Sequence, residues 1–298
     1  MHKMTHKFIC FGETLWDIFP DKKVIGGAPL NVALRLNSLG HEVRMISKIG
    51  QDQDGINLLE YLKKQKLIID GIQIDQQLPT GNVQVHLDQN NTATYSISAP
   101  VAWDHIEVNQ TDIEHIKYSD AFIYGSLSCR NKVTRETLHK YIKHASFKIF
   151  DANLRAPFYD FYSIKSLMQE ADLIKLNDEE LIEISDFLEL SDQSMEQQIS
   201  ALSRLFGNRY ICVTLGSKGA ILFSDGKFYS NPGYPIKVKD TVGAGDSFLA
   251  SLTHQLLKGK APQYALDFAC AMGAIVASNH GANPKVSKLD LSRFVHID

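Results

Sequence analysis

Short apolar runs alternate with longer stretches of helical period through most of this 298-residue chain, and that alternation leaves few folds open. Strands separated by helices pair in parallel, and the crossover helices then cover both faces of the sheet. Phe8-Ile9-Cys10-Phe11 reads as a first buried strand. Pro29 suits the first turn of a helix whose apolar face carries Leu30, Ala33, Leu34 and Leu36 and which stops near Gly40. Val43 to Ile49 follows as a strand, and Ile56, Leu58, Leu59 and Leu62 mark the next helix. Further strands are expected at 120–125, 147–151, 172–176 and 210–214, with helices near 133–145, 160–170, 178–188, 194–206 and 262–279. Asp225-Gly226 between two short apolar runs predicts a two-residue hairpin.

One region breaks the alternation. Gly71 to Ser98 has no helical period; Val83, Val85 and Leu87 alternate with polar residues, and after Asn90-Asn91 a second alternating run passes through Ala93, Tyr95 and Ile97. This predicts a hairpin that joins the strand-like Thr14 to Phe19 in a small separate sheet with one apolar face to cover. The expectation is a single α/β domain over residues 1–298. It has a mainly parallel central sheet flanked by helices, and a β-sheet lid drawn from about 14–26 and 71–100. A bound substrate or a second copy of the chain, as a homodimer through the lid, would cover the apolar face.

Composition excludes more than it selects. A net charge of −3 gives no electrostatic reason to expect nucleic acid or a membrane surface as partner. No apolar stretch approaches a membrane span, and Met-His-Lys-Met-Thr-His-Lys lacks the apolar core of a secretory signal, so a cytoplasmic setting is expected. The four cysteines are far apart, form no Cys-x-x-Cys pair and suit a core role, and the eleven histidines show no ligand spacing.

The chemistry concentrates in two glycine turns. Asp240-Thr-Val-Gly243-Ala244-Gly245-Asp246 lies between an alternating run, Ile236 to Lys239, and a helical pattern from Phe248 to Leu257 that Gly259 can end. At a strand-to-helix turn the first backbone N–H groups are unpartnered, the macrodipole is positive, and small residues admit an anion. Amides of Gly243, Ala244 and Gly245 could stabilise a phosphoryl group while Asp246, in the first helical turn, takes the proton of an incoming hydroxyl. Read alone, the heptapeptide also describes a plain turn capped by an acid. Gly26-Gly27-Ala28-Pro29-Leu30-Asn31 is the second turn. Its glycines permit close approach to a ligand, Asn31 offers a donor and an acceptor, and Asp17 adds a bidentate acceptor for hydroxyls.

Together with Gly50-Gln51-Asp52-Gln53-Asp54-Gly55, Asn177-Asp178-Glu179-Glu180 and Thr214-Leu215-Gly216-Ser217-Lys218-Gly219, these motifs resemble the PfkB, or ribokinase-like, family of sugar and nucleoside kinases over nearly the whole chain. The resemblance implies a ribokinase-like three-layer fold, an ATP-dependent activity, and a lid over the sugar. It implies Asp246 as catalytic base with Gly243, Ala244 and Gly245 as anion hole. Asp17, Gly26, Gly27, Asn31 and Arg155 would bind the sugar. Asn177, Glu180, Thr214, Gly216, Gly219 and Asn279 would bind the nucleotide, with Glu180 acting indirectly on Mg2+ and the segment at Asn279, Gly281 and Ala282 near a K+ site. Asn177 and Glu180 also have the spacing of a helix capping box, and the Thr214 turn also reads as a simple strand connection.

Gly-Gly-Ala-Pro-Leu-Asn, Pro79-Thr80-Gly81 and Asp151-Ala152-Asn153-Leu154-Arg155 look like the fructokinase forms, which implies D-fructose giving fructose 6-phosphate. The departures are Ala152 for the usual Pro, and Phe158-Tyr159 for a common Leu-Trp pair. Kinases of 2-keto-3-deoxygluconate share much of the pattern. A non-catalytic sugar-binding or regulatory protein on the same fold is the reading from another class.

Overall fold

The computed structural model describes residues 5–87 and 93–296; the turn expected at Asn90-Asn91 lies outside them. The strands are β1 (Lys7–Phe11), β2 (Leu15–Ile18), β3 (Lys23–Gly26), β4 (Glu42–Gly50), β5 (Ile72–Asp75), β6 (Gly81–Leu87), β7 (Ala93–Ile97), β8 (Ala121–Gly125), β9 (Lys148–Asp151), β10 (Leu173–Asn177), β11 (Tyr210–Thr214), β12 (Ala220–Ser224) and β13 (Lys227–Asn231). The helices are α1 (Ala28–Ser38), α2 (Gln53–Lys64), α3 (Gln110–Lys117), α4 (Lys132–Ile142), α5 (Phe161–Glu170), α6 (Asp178–Phe187), α7 (Met195–Phe206), α8 (Ala244–Leu257), α9 (Pro262–Ala277) and α10 (Lys288–Ser292).

Nine strands form the main sheet in the order β13-β12-β11-β10-β9-β8-β1-β4-β5. Pairing is parallel from β5 to β11 and antiparallel for β12 and β13. Strand β1 shows why both faces carry helices. Phe8 and Cys10 point into one core with α1, α2, α8 and α9, while Ile9 and Phe11 point into the other with α3 to α7. All four cysteines are free and buried, as their apolar neighbours suggest. Strand order reverses at β1, and in open α/β sheets ligands gather beyond the carboxyl ends of the strands at such a point.

Local chemistry sets the boundaries. Asp225 and Gly226 both take positive φ, 49° and 81°, the backbone of a type I′ hairpin turn. Asn177 and Ser194 cap α6 and α7 through complete capping boxes. Gly259, just past α8, has φ 70°, the left-handed residue that closes a helix.

The lid is a separate four-stranded sheet, β3-β2-β6-β7, with β2 parallel to β6. Two expectations need correction. Residues 72–75, assigned to the lid, instead pair with β4 as the edge of the main sheet; the absence of helical period marks a strand without saying which sheet receives it. Residues 236–239 form no strand. Their alternation belongs to an extended segment whose apolar side chains face a cavity, which leaves Val238 56% exposed.

Candidate active site

Helix α8 starts on a backbone that only glycine adopts easily. Gly243 is its N-cap with φ 74°, and a Cβ there would collide with the backbone of Ala282. The turn is closed by Ala244 N–H, which donates to Thr241 C=O at 3.2 Å. Of the amides expected to form the anion hole, Ala244's is therefore engaged in this conformation. Gly243, Gly245 and Asp246 N–H groups make no backbone bond of that kind, as the first turn of a helix requires.

Asp246 in that first turn reaches across to α1. Asn31 Nδ2 donates to Asp246 Oδ2 at 2.8 Å, and Asn31 Oδ1 accepts from Asn283 Nδ2 at 2.9 Å. Asn31 is 5% exposed, so both ends of its amide are committed and it orients the carboxylate. Arg35, one turn further along α1, fastens the same helix pair through Ser247 Oγ at 3.1 Å and Pro284 C=O at 3.1 Å. Burial pushes the Asp246 carboxyl up to about 6, Asp151 adds to the push, and Lys175, Asn31 and Arg155 oppose it. A carboxylate with that affinity is still ionised near neutrality and accepts a proton readily, which is what a general base needs.

Behind the turn lies an ion pair that the sequence reading missed. Lys175 Nζ donates to Asp151 Oδ1 at 2.9 Å, with both side chains buried. Lys175 also sits 3.3 Å from where a Cβ on Gly245 would be, so its ammonium flanks the opened amides. Burial alone would discharge it; Asp151 and Glu180 outweigh burial and hold it protonated. The signal was a lysine inside the apolar run Leu173 to Leu176, where an unpaired charge would not be tolerated. Asn177 and Glu180 form the capping box of α6, at 2.8 and 2.7 Å, and Glu180 Oε1 also accepts from Leu154 N–H at 2.9 Å. Both Glu180 oxygens thus accept a backbone N–H.

On the other side of the turn, Thr214, Gly216 and Gly219 line a cavity of about 560 Å3 together with Ile236, Val238, Ala244 and Gly245. Its size suits a nucleotide, and its apolar walls, closed by Ala274 and Ala277 of α9, suit a flat base. Asn279 is not brought to this cavity. Its side chain donates to Ile275 C=O at 2.7 Å and finishes α9, while Gly281 N–H is held by Asp240 Oδ2 at 2.9 Å.

On the lid side, the Asp17 carboxylate lies directly against Gly26, where a Cβ would strike it, and Gly27 caps α1. Burial pushes Asp17 up to about 6, with Arg155 opposing. Glu13, also missed, is 2% exposed, and burial lifts it to about 7 with Asp246 contributing and Arg155 opposing. Its Oε2 and Asp151 Oδ2 are buried without a hydrogen-bond partner among the described residues, which leaves both oxygens able to accept from a ligand. Asp17, Gly26, Gly27, Asn31 and Asp246 therefore meet between the lid and α8, with the charge of Arg155 felt by Asp17, Glu13 and Asp246. Asp246 is the residue after Gly245, so the two sites share the first turn of α8.

A family profile described as pfkB family carbohydrate kinase matches residues 3–289. Probable fructokinase-5 of Arabidopsis thaliana is 32% identical over 94% of this chain and 94% of its own length. A sugar kinase of Pyrococcus horikoshii, described as uncharacterized, superposes with a TM-score of 0.81 at 27% identity, covering 93% of each chain. A double mutant of a fructokinase of Vibrio cholerae O395, solved with fructose, ADP and potassium ion, has the same fold, with a TM-score of 0.84 at 22% identity over 98% of this chain and 99% of that one. By its motifs, by its architecture and by the match across almost its entire length, this chain belongs to the pfkB family of carbohydrate kinases.

Proposed function

We propose that the protein transfers the γ-phosphoryl group of ATP to a primary hydroxyl of a ketohexose, D-fructose giving fructose 6-phosphate. The observation that carries this reading is the shared first turn of α8. Ala244 and Gly245 line a nucleotide-sized cavity, and the next residue, Asp246, is tied to the hydroxyl-binding side by Asn31. Asp246 Oδ accepts the proton of the primary hydroxyl held by Asp17 and the Gly26-Gly27 turn. Asn31 aims that carboxylate. Amides of Gly243 and Gly245 and the Lys175 ammonium stabilise charge on the transferred group, and the lid excludes water. Fructose as the acceptor is supported by the fructokinase relative at 32% identity and by the three motif forms noted above.

Among the described residues no group of three or more His, Cys, Asp or Glu could hold a metal ion by itself. The residues present fit Mg2+ carried on the nucleotide's own phosphates, with Asp151 and Glu180 as the acidic side chains behind them. When bound, it neutralises phosphate charge. The turn Asn279–Ala282, tied to Asp240, is our assignment for a K+ site, and a homodimer through the lid is the assembly to test by sedimentation.

An ADP-release assay across fructose, ribose, 2-keto-3-deoxygluconate, tagatose and nucleosides tests the reading. We expect fructose to give the highest kcat/KM. Preference for 2-keto-3-deoxygluconate would reassign the acceptor, and sugar binding without ADP release would make the protein a non-catalytic binder.

A further inference from the structure

A second cavity, about 490 Å3, shares no lining residue with the nucleotide cavity. It opens among the ends of α4 and α5, whose apolar faces pack in the core on the opposite side of the sheet from α8. None of Asp17, Gly26, Gly27, Asn31, Arg155 or Asp246 lines it.

Its chemistry is dominated by Arg130. The guanidinium is held 4.0 Å from the Trp103 ring centroid and 4.9 Å from that of Phe158. Nε and Nη2 donate to the two carboxylate oxygens of Asp104 at 2.7 and 2.8 Å, and Nη2 donates again to Ser98 C=O at 2.6 Å. The side chain is only 7% exposed, yet Nη1 is buried with no hydrogen-bond partner among the described residues. A planar cation fixed by two rings and a fork–fork pair cannot turn to find one. Buried donors are almost always paired, so an orphan on a residue that lines a cavity leaves a place for an acceptor from outside the chain.

The rest of the lining points the same way. Arg135 contributes a second guanidinium, which donates to Cys129 C=O at 3.5 Å and whose charge is felt by the Asp160 carboxylate of the same lining. Both carboxylates in the lining are occupied: Asp104 by Arg130 and by Val101 N–H at 3.0 Å, and Asp160 by Ser163 N–H and Oγ at 2.9 and 2.7 Å. The cavity therefore presents two guanidinium groups beside carboxylates that already accept hydrogen bonds, against apolar walls from Phe158, Ile164 and Leu167. We propose that this cavity is a binding site, separate from the catalytic centre, for a small organic anion. Its carboxylate or phosphate would sit on Arg130 Nη1 and Arg135, and its apolar body against Phe158.

The site borders the catalytic machinery without belonging to it. Ser126 Oγ, on its wall, donates to Asn153 C=O at 3.3 Å; Phe158 N–H donates to Arg155 C=O at 2.7 Å; and Ser98, held by Arg130, directly follows lid strand β7. An occupant would thus touch the supports of both the Arg155 loop and the lid.

Calorimetric titration of the full chain with phenyl phosphate, benzoate and neutral benzyl alcohol tests this, repeated with saturating ADP present. We expect one of the two anions to bind at one site with a Kd below about 1 mM, unaffected by ADP, and benzyl alcohol not to bind. Which anion binds names the head group. Arg135→Gln should weaken binding about tenfold or more with little change in the folded fraction, and the charge-retaining Arg130→Lys should weaken it likewise in whatever fraction folds. Arg135→Gln leaves the buried Asp104 pair intact and reports even if Arg130→Lys fails to fold. No binding by either anion at millimolar concentration, displacement by ADP, or unchanged affinity in Arg135→Gln would overturn the proposal.

Discussion

Replacing Asp246 by Asn should slow turnover by orders of magnitude and make the protein more stable, and the two effects have one cause. Burial and the neighbouring Asp151 lift this carboxyl from the ordinary 3.8 to about 6. A group whose folded pKa is raised loses stability as it ionises, so the cost begins near pH 3.8 and is complete above about 6. At about 1.4 kcal/mol per unit the shift sets an upper bound of about 3 kcal/mol at neutral pH. Asp246 is only half-buried, and solvent screening reduces that to about 1–2 kcal/mol. Asn keeps an oxygen to accept from Asn31 and removes the charge. Losing the base should lower kcat by about 10²–10⁴ from proton transfer alone. Thermal unfolding at pH 7.5 should show the variant melting a few degrees higher, with the difference vanishing below about pH 4. Near-wild-type turnover would refute the assignment of the base, and a variant less stable at neutral pH would refute the electrostatic account.

Three other outcomes rest on the same geometry. The wild-type kcat/KM should be flat above about pH 6 and fall about tenfold per unit below it, because Asp246 must be ionised. Lys175 is among the groups holding that pKa down, so Lys175→Met should move the acid limb to higher pH; an unmoved limb in a folded variant would show that another group titrates. Asp17→Ala should raise the sugar KM about tenfold or more while leaving the ATP KM within about twofold. An equal effect on both would place Asp17 outside the sugar side.

Regular alternation made the fold legible: the buried strands from β1 to β11 and the longer helices were readable because a two-faced core imposes their periods. The glycine turns were readable because backbone near an anion needs small residues. What failed depended on partners distant in sequence. Ile72 to Asp75 had a strand's character, but only its pairing with β4 decides its sheet. Ile236 to Lys239 alternates because a cavity, rather than a sheet, lies on one side. Helix α3 was missed although Asn109 caps it and Ile113 and Ile116 have helical spacing, because eight residues give a weak period. Asp151, Lys175, Glu13 and Asn283 became site candidates only when β1, β9, β10 and the end of the chain met around α8.

The most direct measurement is a 31P NMR time course of the purified chain with MgATP and D-fructose. The account predicts that ADP and a sugar phosphate carried on the primary hydroxyl appear together in equal amounts, and that Asp246→Asn suppresses both signals alike. ATP consumption without a sugar phosphate, or transfer that survives the substitution, would contradict it.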